Sequence, residues 1–307
     1  MDVSIISINY NNSNLFKNFL NSLKLNFPSG FTYEVIIIDN ASQEEDFTNL
    51  KAIISSIEMN IILHKSNLNL GFGGGNMLGN QFAKGNYLAF INSDIIFFED
   101  CFSPLIQFLK QNKKAGVCTP QQYNENKQPK SGLDYFYGIR KELFGRFLIE
   151  LSLPKDQLKR KEFPYSKNSK ADFIQGCFLF FDASKFNIVG GFDTNIFLYF
   201  EEMDISYRLL QKGYNSFIVP STSFIHLHGA STKPSLLIKQ EILISKLYIY
   251  RKNYTYFKYK ILQSILGVKW FFKSLLKLSY FKLFLIIILG APLKFSLKQK
   301  QFIIFNQ

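Results

Sequence analysis

The first hundred residues alternate between two hydrophobic periods. Residues 3–9 (VSIISIN) form a short β-branched run. Residues 13–23 follow, with Leu15, Phe16, Phe19, Leu20 and Leu23 at helical spacing behind Ser13 as a candidate N-cap. The pattern then predicts a strand over 34–39 (EVIIID), a helix over about 44–57 and a strand over 60–65 (NIILHK). A glycine-rich helix start at 71–79 and a fourth strand at 87–92 (YLAFIN) complete the series. Strands that are apolar throughout and separated by helices predict an α/β fold, a doubly wound and mostly parallel sheet with flanking helices on both faces. Such sheets bind ligands beyond the carboxyl ends of their strands. Here those ends read Asn9-Tyr10-Asn11, Asp39-Asn40-Ala41-Ser42, NLNLGFGGGN (67–76) and Asn92-Ser93-Asp94. Four consecutive polar strand ends are suited to a nucleotide and its phosphates.

Residues 122–172 break this rhythm. They are polar and lysine-rich, carry Pro129, Pro154 and Pro164, and predict an irregular or partly helical insertion that covers the site as a lid. From Asp172 the pattern tightens through FIQGCFLFF, GGFD and YFEEMDISYR, and residues 215–220 (NSFIVP) predict a further strand leading into SFIHLHGAS. No internal repeat is visible. The expected organisation is one domain over 1–232 and a separate tail over 233–307.

Charge sharpens that division. The 307-residue chain carries a net charge of +13. The tail holds thirteen lysines and Arg251 against the single acid Glu241, so residues 1–232 balance at 22 basic and 22 acidic groups. A neutral body with a basic tail points to an anionic surface. The stretch 261–290 mixes Leu, Ile and Phe with Lys269, Lys273, Lys277 and Lys282, and its longest charge-free run, 283–293, is too short to span a bilayer. Lysines and aromatic residues on an apolar helix suit an interface-lying anchor on an anionic membrane. Nucleic acid would not need so much aliphatic surface. A hydrophobic homodimer contact or core-packing helices are the alternatives. The opening MDVSIISINY has neither a basic n-region nor a cleavage site, so no signal peptide is expected. Cys101, Cys118 and Cys177 lack CxxC spacing and are expected to be buried, reduced thiols.

Each motif has a bland reading beside the chemical one. GFGGGN is not a dinucleotide fingerprint, because Asn76 stands where the third glycine belongs and the segment follows the third strand rather than the first. It is either a tight strand-to-helix turn or a place where backbone approaches a ligand. Asn92 and Asp94 at i and i+2 would project to one side, as oxygen ligands of Mg²⁺ or Mn²⁺ or as ordinary turn chemistry. His226 and His228 could be ligands or structural residues, and His64 is a strand residue. Glu201, Glu202 and Asp204 could be a general base, a metal site or a favourable acidic helix start, with Asp204 able to pair with Arg208.

Taken together, INYNN, IIDNAS, NLGFGGGN, INSD, GGFD, FLYFEEMDISYR and HLHGAS, in this order over about residues 3–232, resemble the family-2 glycosyltransferases of the GT-A fold. The closest likeness is to the bacterial rhamnosyltransferase-like branch. The resemblance implies an inverting, metal-dependent transfer from a nucleotide-diphosphate sugar, dTDP-rhamnose or a UDP-sugar, to a glycan hydroxyl in cell-surface polysaccharide synthesis. It implies that Asp39 hydrogen-bonds the base and that Asn9, Asn69 and Gly71 shape the donor pocket, with Tyr10, Gly75, Asn76, Asn92 and Ser93 beside them. It places Mg²⁺ or Mn²⁺ on Asp94 with His226, or His228. Glu202 becomes the expected base, with Glu201, Asp193 and Asp204 as further catalytic or acceptor residues. The family commonly has Glu-Asp where this chain has Glu201-Glu202. A lipid-linked glycan acceptor would rationalise a tail on the cytoplasmic face of the membrane. A nucleotidyltransferase and a catalytically dead sugar-nucleotide-binding protein are the competing readings; the first would need a Gly-rich Arg/Lys loop after strand one.

Overall fold

A computed structural model describes residues 1–154, 157, 159–227 and 235–303. The amino-terminal half contains β1 (Val3–Asn9), α1 (Asn14–Asn26), β2 (Tyr33–Asn40), α2 (Glu44–Ser55), β3 (Ile61–Ser66), α3 (Gly71–Asn80), β4 (Tyr87–Ile91), β5 (Ile95–Ile96), α4 (Phe102–Gln111) and β6 (Ala115–Tyr123). The segment that follows holds β7 (Pro129–Lys130), β8 (Leu133–Asp134), α5 (Ile139–Phe144), α6 (Phe147–Leu151), β9 (Ser169–Ala171) and β10 (Phe173–Ile174). After it come β11 (Phe178–Asp182), α7 (Ala183–Ile188), α8 (Glu201–Gln211), β12 (Asn215–His226), α9 (Leu236–Asn253), α10 (Tyr256–Leu276) and α11 (Phe281–Ile288).

The main sheet runs β3-β2-β1-β4-β11-β6-β12-β5. Its first four strands are parallel, and β6 and β12 are parallel to each other. Alternate side chains of the parallel strands enter opposite cores, which is why consecutive positions such as Val35, Ile36, Ile37 and Ile38 are all apolar. Val3, Ile5, Val35 and Ile37 meet Phe16, Phe19 and Leu20 of α1 and Leu105 of α4, whereas Ile6, Ile36, Ile38 and Phe90 meet Phe186, Ile205 and Leu209 on the other face. Strand β11 departs from the parallel pattern. Phe178 pairs with Ile91 at the end of β4 and Asp182 with Tyr87 at its beginning. The chain therefore enters β11 from the ligand end of the sheet and runs away from it, which puts Gln175-Gly176-Cys177 beside the other strand ends.

The helix α3 lies close on β1 because it has no side chains in the way. A Cβ at Gly79 would stand 2.6 Å from Ile6 Cγ2, and one at Gly75 would stand 2.9 Å from Ile8 Cδ1. Gly71 has φ +73°, and a Cβ there would stand 2.1 Å from the Phe197 carbonyl oxygen. The glycine run is thus mainly a packing device, and Gly71 is the one position where a left-handed turn and a close approach coincide.

The carboxy-terminal helices pack on this body. Ile249 of α9 sits in one cluster with Phe173, Ile196 and Met203. Leu243, Leu247 and Tyr250 of α9 form another with Leu262 and Leu266 of α10 and Leu283, Ile286 and Ile287 of α11. Polar groups tie the same interface. Lys246 pairs with Glu142 at 2.7 Å, and Lys252 Nζ lies 2.7 Å from Asp193 and 2.9 Å from both oxygens of Asp204. These two lysines neutralise acids of the body and are not part of a free basic surface. The opposite side of α10 and α11 is open: Phe272, Leu275, Leu276 (90% exposed) and Leu278 (87%) stand beside the exposed Lys273, Lys277 and Lys282. No helix among the described residues is long and apolar enough to cross a membrane. The three cysteines are free and buried. The division expected at 232/233 lies outside the described residues.

Replacing Lys252 by methionine should weaken the fold, because Asp204 is fully buried and Asp193 loses its cation. Hydrogen bonds to charged groups contribute about 1.5–3 kcal/mol. Urea unfolding should show a loss of about that size, since Arg208 still pairs with Asp204. An unchanged midpoint would mean that α9 is held by its apolar contacts alone.

Candidate active site

Two adjoining cavities lie at the carboxyl ends of the strands and share Phe72, Asn92 and Leu198. The first, of about 440 Å³, is walled by the ends of all four parallel strands. Tyr10 and Asn12 come from the end of β1, Asn40 from β2, Asn69 and Gly71 from the turn after β3, and Asn92, Ser93 and Asp94 from the turn after β4. The turns are stiffened from behind. Asn40 Nδ2 donates to Asn69 Oδ1 at 2.9 Å and to the Gly71 carbonyl at 3.1 Å, and Asn40 Oδ1 accepts from Leu70 N at 2.9 Å. Asn11 (φ 55°) and Ala41 (φ 63°), at the ends of β1 and β2, occupy the left-handed region without being glycine. Such conformations persist where surrounding contacts over-determine them, often at functional sites.

Asn9 and Asp39 lie one layer deeper. Both are fully buried, and Asn9 Nδ2 donates to Asp39 Oδ1 at 2.8 Å while Ser42 N donates to Asp39 Oδ2 at 3.2 Å. They brace the β1 and β2 turns rather than face the cavity, so direct contact of Asp39 with a base does not follow from this arrangement. Gly75 and Asn76 are also buried behind the wall, Asn76 with its Nδ2 unpartnered. Asn40 and Asn12 stand where the sequence pointed to Asp39 and Asn9. The signal for Asn40 was present in IIDNAS, but which of two adjacent residues faces a cavity depends on the turn.

Asp94 and His226 meet because β5 pairs antiparallel with the end of β12, which sets His226 opposite Ile95. Asp94 Oδ2 lies 3.2 Å from His226 Nε2, and the Gln122 amide lies 3.0 Å from His226 Nδ1. Burial would lower the imidazole pKa, but the hydrogen bonds to Asp94 and Cys177 outweigh it and raise it to about 10. The other Asp94 oxygen, Oδ1, is buried without a hydrogen-bond partner. A buried carboxylate oxygen without a partner, on a residue that lines the cavity, is a group that fits a hard divalent cation. Among the described residues no group of three or more His, Cys, Asp or Glu side chains could hold a metal alone. Asp94 and His226 are the two residues here that would hold such a cation, with the remaining positions left to other oxygen donors. His228 lies outside the described residues.

The second cavity, of about 570 Å³, holds Glu201 and Glu202 together with Asp134, Tyr137, Phe173, Gln175, Tyr199 and Phe200. Tyr199 (φ 71°) and Phe200 (φ 74°) are two consecutive left-handed residues immediately before α8, and they set the direction in which the first turn leaves the wall. Glu201 is buried, with Oε1 unpartnered, and burial and the Glu202 charge push its pKa well above the usual carboxylate range. Glu202 is the more open of the two. Burial raises its pKa, a backbone hydrogen bond opposes this, and the Asp134 charge adds to the rise, leaving it at about 7. Asp134 differs: burial pushes it up, but Arg146 and Lys141 hold it at about 2. Asp134 and Tyr137 come from the segment expected to be a lid. Both were missed in the sequence, because nothing local sets them apart from other polar residues of the insertion.

Asp193 and Asp204 fall outside both cavities. Asp204 accepts from Arg208 Nε at 2.8 Å, Lys252 and Asn253, while Asp193 accepts from Lys252 and, at 2.8 Å, from Tyr248. Expected as further catalytic or acceptor residues, these two line neither cavity and instead tie α8 and the turn before it to α9. Of the acidic cluster only Glu201 and Glu202 face open space.

Comparison with known proteins agrees with this geometry. One curated relative, the rhamnosyltransferase WbbL of Escherichia coli (strain K12), is 29% identical over 165 residues, which is 51% of this chain and 60% of that protein. Among solved structures, GalNAc-T7 with UDP, GalNAc and Mn²⁺ superposes with a TM-score of 0.59 at 16% identity, over 81% of this chain and 50% of that one. The mannosyltransferase PcManGT from Pyrobaculum calidifontis, in complex with GDP-Man and Mn²⁺, gives 0.54 at 12% identity, over 81% and 63%. At such identities these structures speak for the fold alone, and the fold is the GT-A arrangement. Residues 4–186 match the family profile described as Glycosyl transferase family 2, which covers more than half of the chain and includes every strand end of the first cavity; the chain belongs to glycosyl transferase family 2.

Proposed function

We propose that the protein is an inverting glycosyltransferase that moves a sugar from dTDP-rhamnose or a UDP-sugar to a hydroxyl of a glycan acceptor. The observation that carries this reading is the pair of adjoining cavities that meet at Asn92, with Asp94 lining the first, Glu202 and His226 lining the second, and the 3.2 Å contact between His226 and Asp94 joining them. The rhamnosyltransferase relative and the nucleotide sugars bound by the structural neighbours support it. The first cavity takes the donor, with Tyr10, Asn69, Gly71, Asn92 and Ser93 around it. The second takes the acceptor. Glu202 accepts the hydroxyl proton as the acceptor oxygen bonds to the anomeric carbon; the anomeric C–O bond to the diphosphate breaks, and its electron pair leaves with the nucleoside diphosphate. Mg²⁺ or Mn²⁺ held by Asp94 and His226 would supply positive charge to that departing group. Burial and the Glu202 charge drive Glu201 toward its neutral form, which favours Glu202 as the base of the pair. In this reading residues 1–232 are the catalytic unit, and the 122–172 segment covers the acceptor.

The Glu202→Gln variant should lower turnover by about 10²–10⁴-fold, the usual contribution of a positioned base, with donor binding unchanged. Wild-type kcat/KM should rise through pH about 7, as Glu202 loses its proton. Equal activity of Glu202→Gln and wild type, or a larger loss in Glu201→Gln, would move the base elsewhere. Linkage adds a check without turnover. Both glutamates have raised folded-state values, so the folded chain binds more protons than the unfolded one, and stability falls as pH rises from about 5 to 8. Glu202→Gln should reduce that fall in thermal melts.

Asp94→Ala should abolish transfer and stabilisation by Mn²⁺ with nucleoside diphosphate, while leaving the circular dichroism spectrum intact. Full activity in excess EDTA would exclude the cation.

We further assign the open face of α10 and α11 to the anionic cytoplasmic leaflet, where a lipid-linked acceptor would be presented. Exposed Leu275, Leu276 and Leu278 beside Lys273, Lys277 and Lys282 support this. Each basic residue near such a surface contributes about 1 kcal/mol, and that part is screened by salt. Liposomes containing phosphatidylglycerol should float the protein, and Leu276→Glu with Leu278→Glu should abolish flotation. If the wild type stays unbound and sediments as a dimer that the double substitution dissociates, the face is a homodimer contact instead.

A further inference from the structure

The donor cavity has a wall that the family match does not reach. Residues 4–186 carry the family resemblance, yet Ile238, Leu297 and Gln301 also line this cavity. Leu297 and Gln301 belong to a strap that follows α11, two short 3₁₀ turns at Leu293–Phe295 and Leu297–Lys300. The strap returns to α9 at one point. Glu241, the single acid of the tail, is buried; its Oε1 accepts from Ser296 Oγ and its Oε2 from Leu297 N, both at 2.7 Å. Gln240 Nε2 donates to the neighbouring Phe295 carbonyl at 2.6 Å. A carboxyl group buried among apolar helices is costly unless its oxygens are bonded, and here both are satisfied by consecutive residues of the strap. Glu241 thereby fixes where Leu297 meets the cavity, and Gln301 Nε2 is tied to the Leu297 carbonyl at 2.9 Å.

We infer that this strap is a working part of the donor site, and that Leu297 and Gln301 contact the nucleoside of the bound donor. The inference rests on the reading of this cavity as the donor site. Its chemistry selects the nucleoside over the diphosphate. The wall offers two aliphatic side chains and one amide, while Lys298 and Lys300 of the same strap do not line the cavity. Aliphatic surface with one neutral polar group suits a base and ribose; phosphates need cations or converging N–H groups. The diphosphate is left to Asp94 of the same cavity and the cation it would hold. Glu241 is a positioning residue that acts through the strap.

The test is calorimetric titration of the full-length protein with UDP, dTDP and inorganic pyrophosphate, each with Mn²⁺. Leu297 and Gln301 are only half buried, so the double variant Leu297→Ala/Gln301→Ala should keep the wild-type melting temperature. It should bind UDP or dTDP about tenfold more weakly, equivalent to one lost hydrogen bond and a modest apolar contact. Pyrophosphate affinity should not change. Glu241→Ala should weaken nucleotide binding similarly, and adding it to the double variant should change affinity less than twofold, because both act through one contact. Gln301→Ala alone, expected to be about threefold weaker, serves if the double variant is unstable. Nucleotide binding within twofold of wild type, tighter binding, or equal weakening of pyrophosphate would overturn the inference. Absence of nucleotide binding by the wild type would instead overturn the donor-site reading beneath it.

Discussion

Asp204 is the buried carboxylate around which α8, α9 and the turn before Asp193 are organised. It has no contact with solvent, and it is held by Arg208 on its own helix and by Lys252 and Asn253 on α9. An ionised carboxylate in such a place is tolerable only when paired and hydrogen-bonded. The pairing dictates geometry well beyond one residue. Arg208, oriented by Asp204, also donates to the carbonyls of Val189 and Gly191 and so fixes the glycine turn before Asp193. Lys252 reaches from Asp204 to Asp193 and locks α9 against α8. Three elements are thereby set in one arrangement, and α8 is the element that carries Glu201 and Glu202.

Against that saturated centre, two carboxyl groups that line the cavities are under-satisfied. Asp94 and Glu201 each bury one carboxylate oxygen without a partner. Buried polar atoms of folded proteins are nearly always bonded, so two exceptions on the walls of adjoining cavities mark where the molecule holds free energy in reserve for a ligand. The same low-polarity setting separates the two neighbouring glutamates. The deeper one is driven strongly toward its neutral form, and the more open one is left to titrate near neutrality. Two residues of identical type, adjacent in sequence, thus have different chemical capacities because one turn of helix directs them into different surroundings.

The carboxy-terminal quarter belongs to both readings of the molecule. Its inner side completes the body: Ile249 packs beside Met203, Lys246 satisfies Glu142, and Ile238 and Leu297 reach the donor cavity. Its outer side leaves leucines and phenylalanines in water beside lysines that, among the described residues, form no ion pair like those of Lys246 and Lys252. An apolar patch of this kind on a soluble surface marks an interaction site. Attachment at that patch and donor binding at the strap would involve one continuous helical unit, so that a surface for the acceptor and a wall for the donor are held in fixed relation.

The sequence by itself determined the strands, the parallel half of the sheet and the family, because apolar runs, helical periods and ordered motifs are local signals. It also pointed to the strand ends, where the two cavities lie, and to Asp94, His226 and the Glu201-Glu202 pair, which line them. Folding decided the rest through contacts between residues far apart in the chain. Asp39 and Asn40 are equally polar neighbours, and only the turn after β2 puts the second on the cavity wall and the first behind it. Asp193 and Asp204 look as reactive in sequence as Glu202, and it is the packing of α9, some fifty positions away, that pairs both of them with Lys252. Asp134, Leu297 and Gln301 carry no local mark of function, since what distinguishes them is the surface against which they are packed. A motif specifies which groups are available, but burial and pairing decide which of them remain free to react, and those are properties of the packed chain.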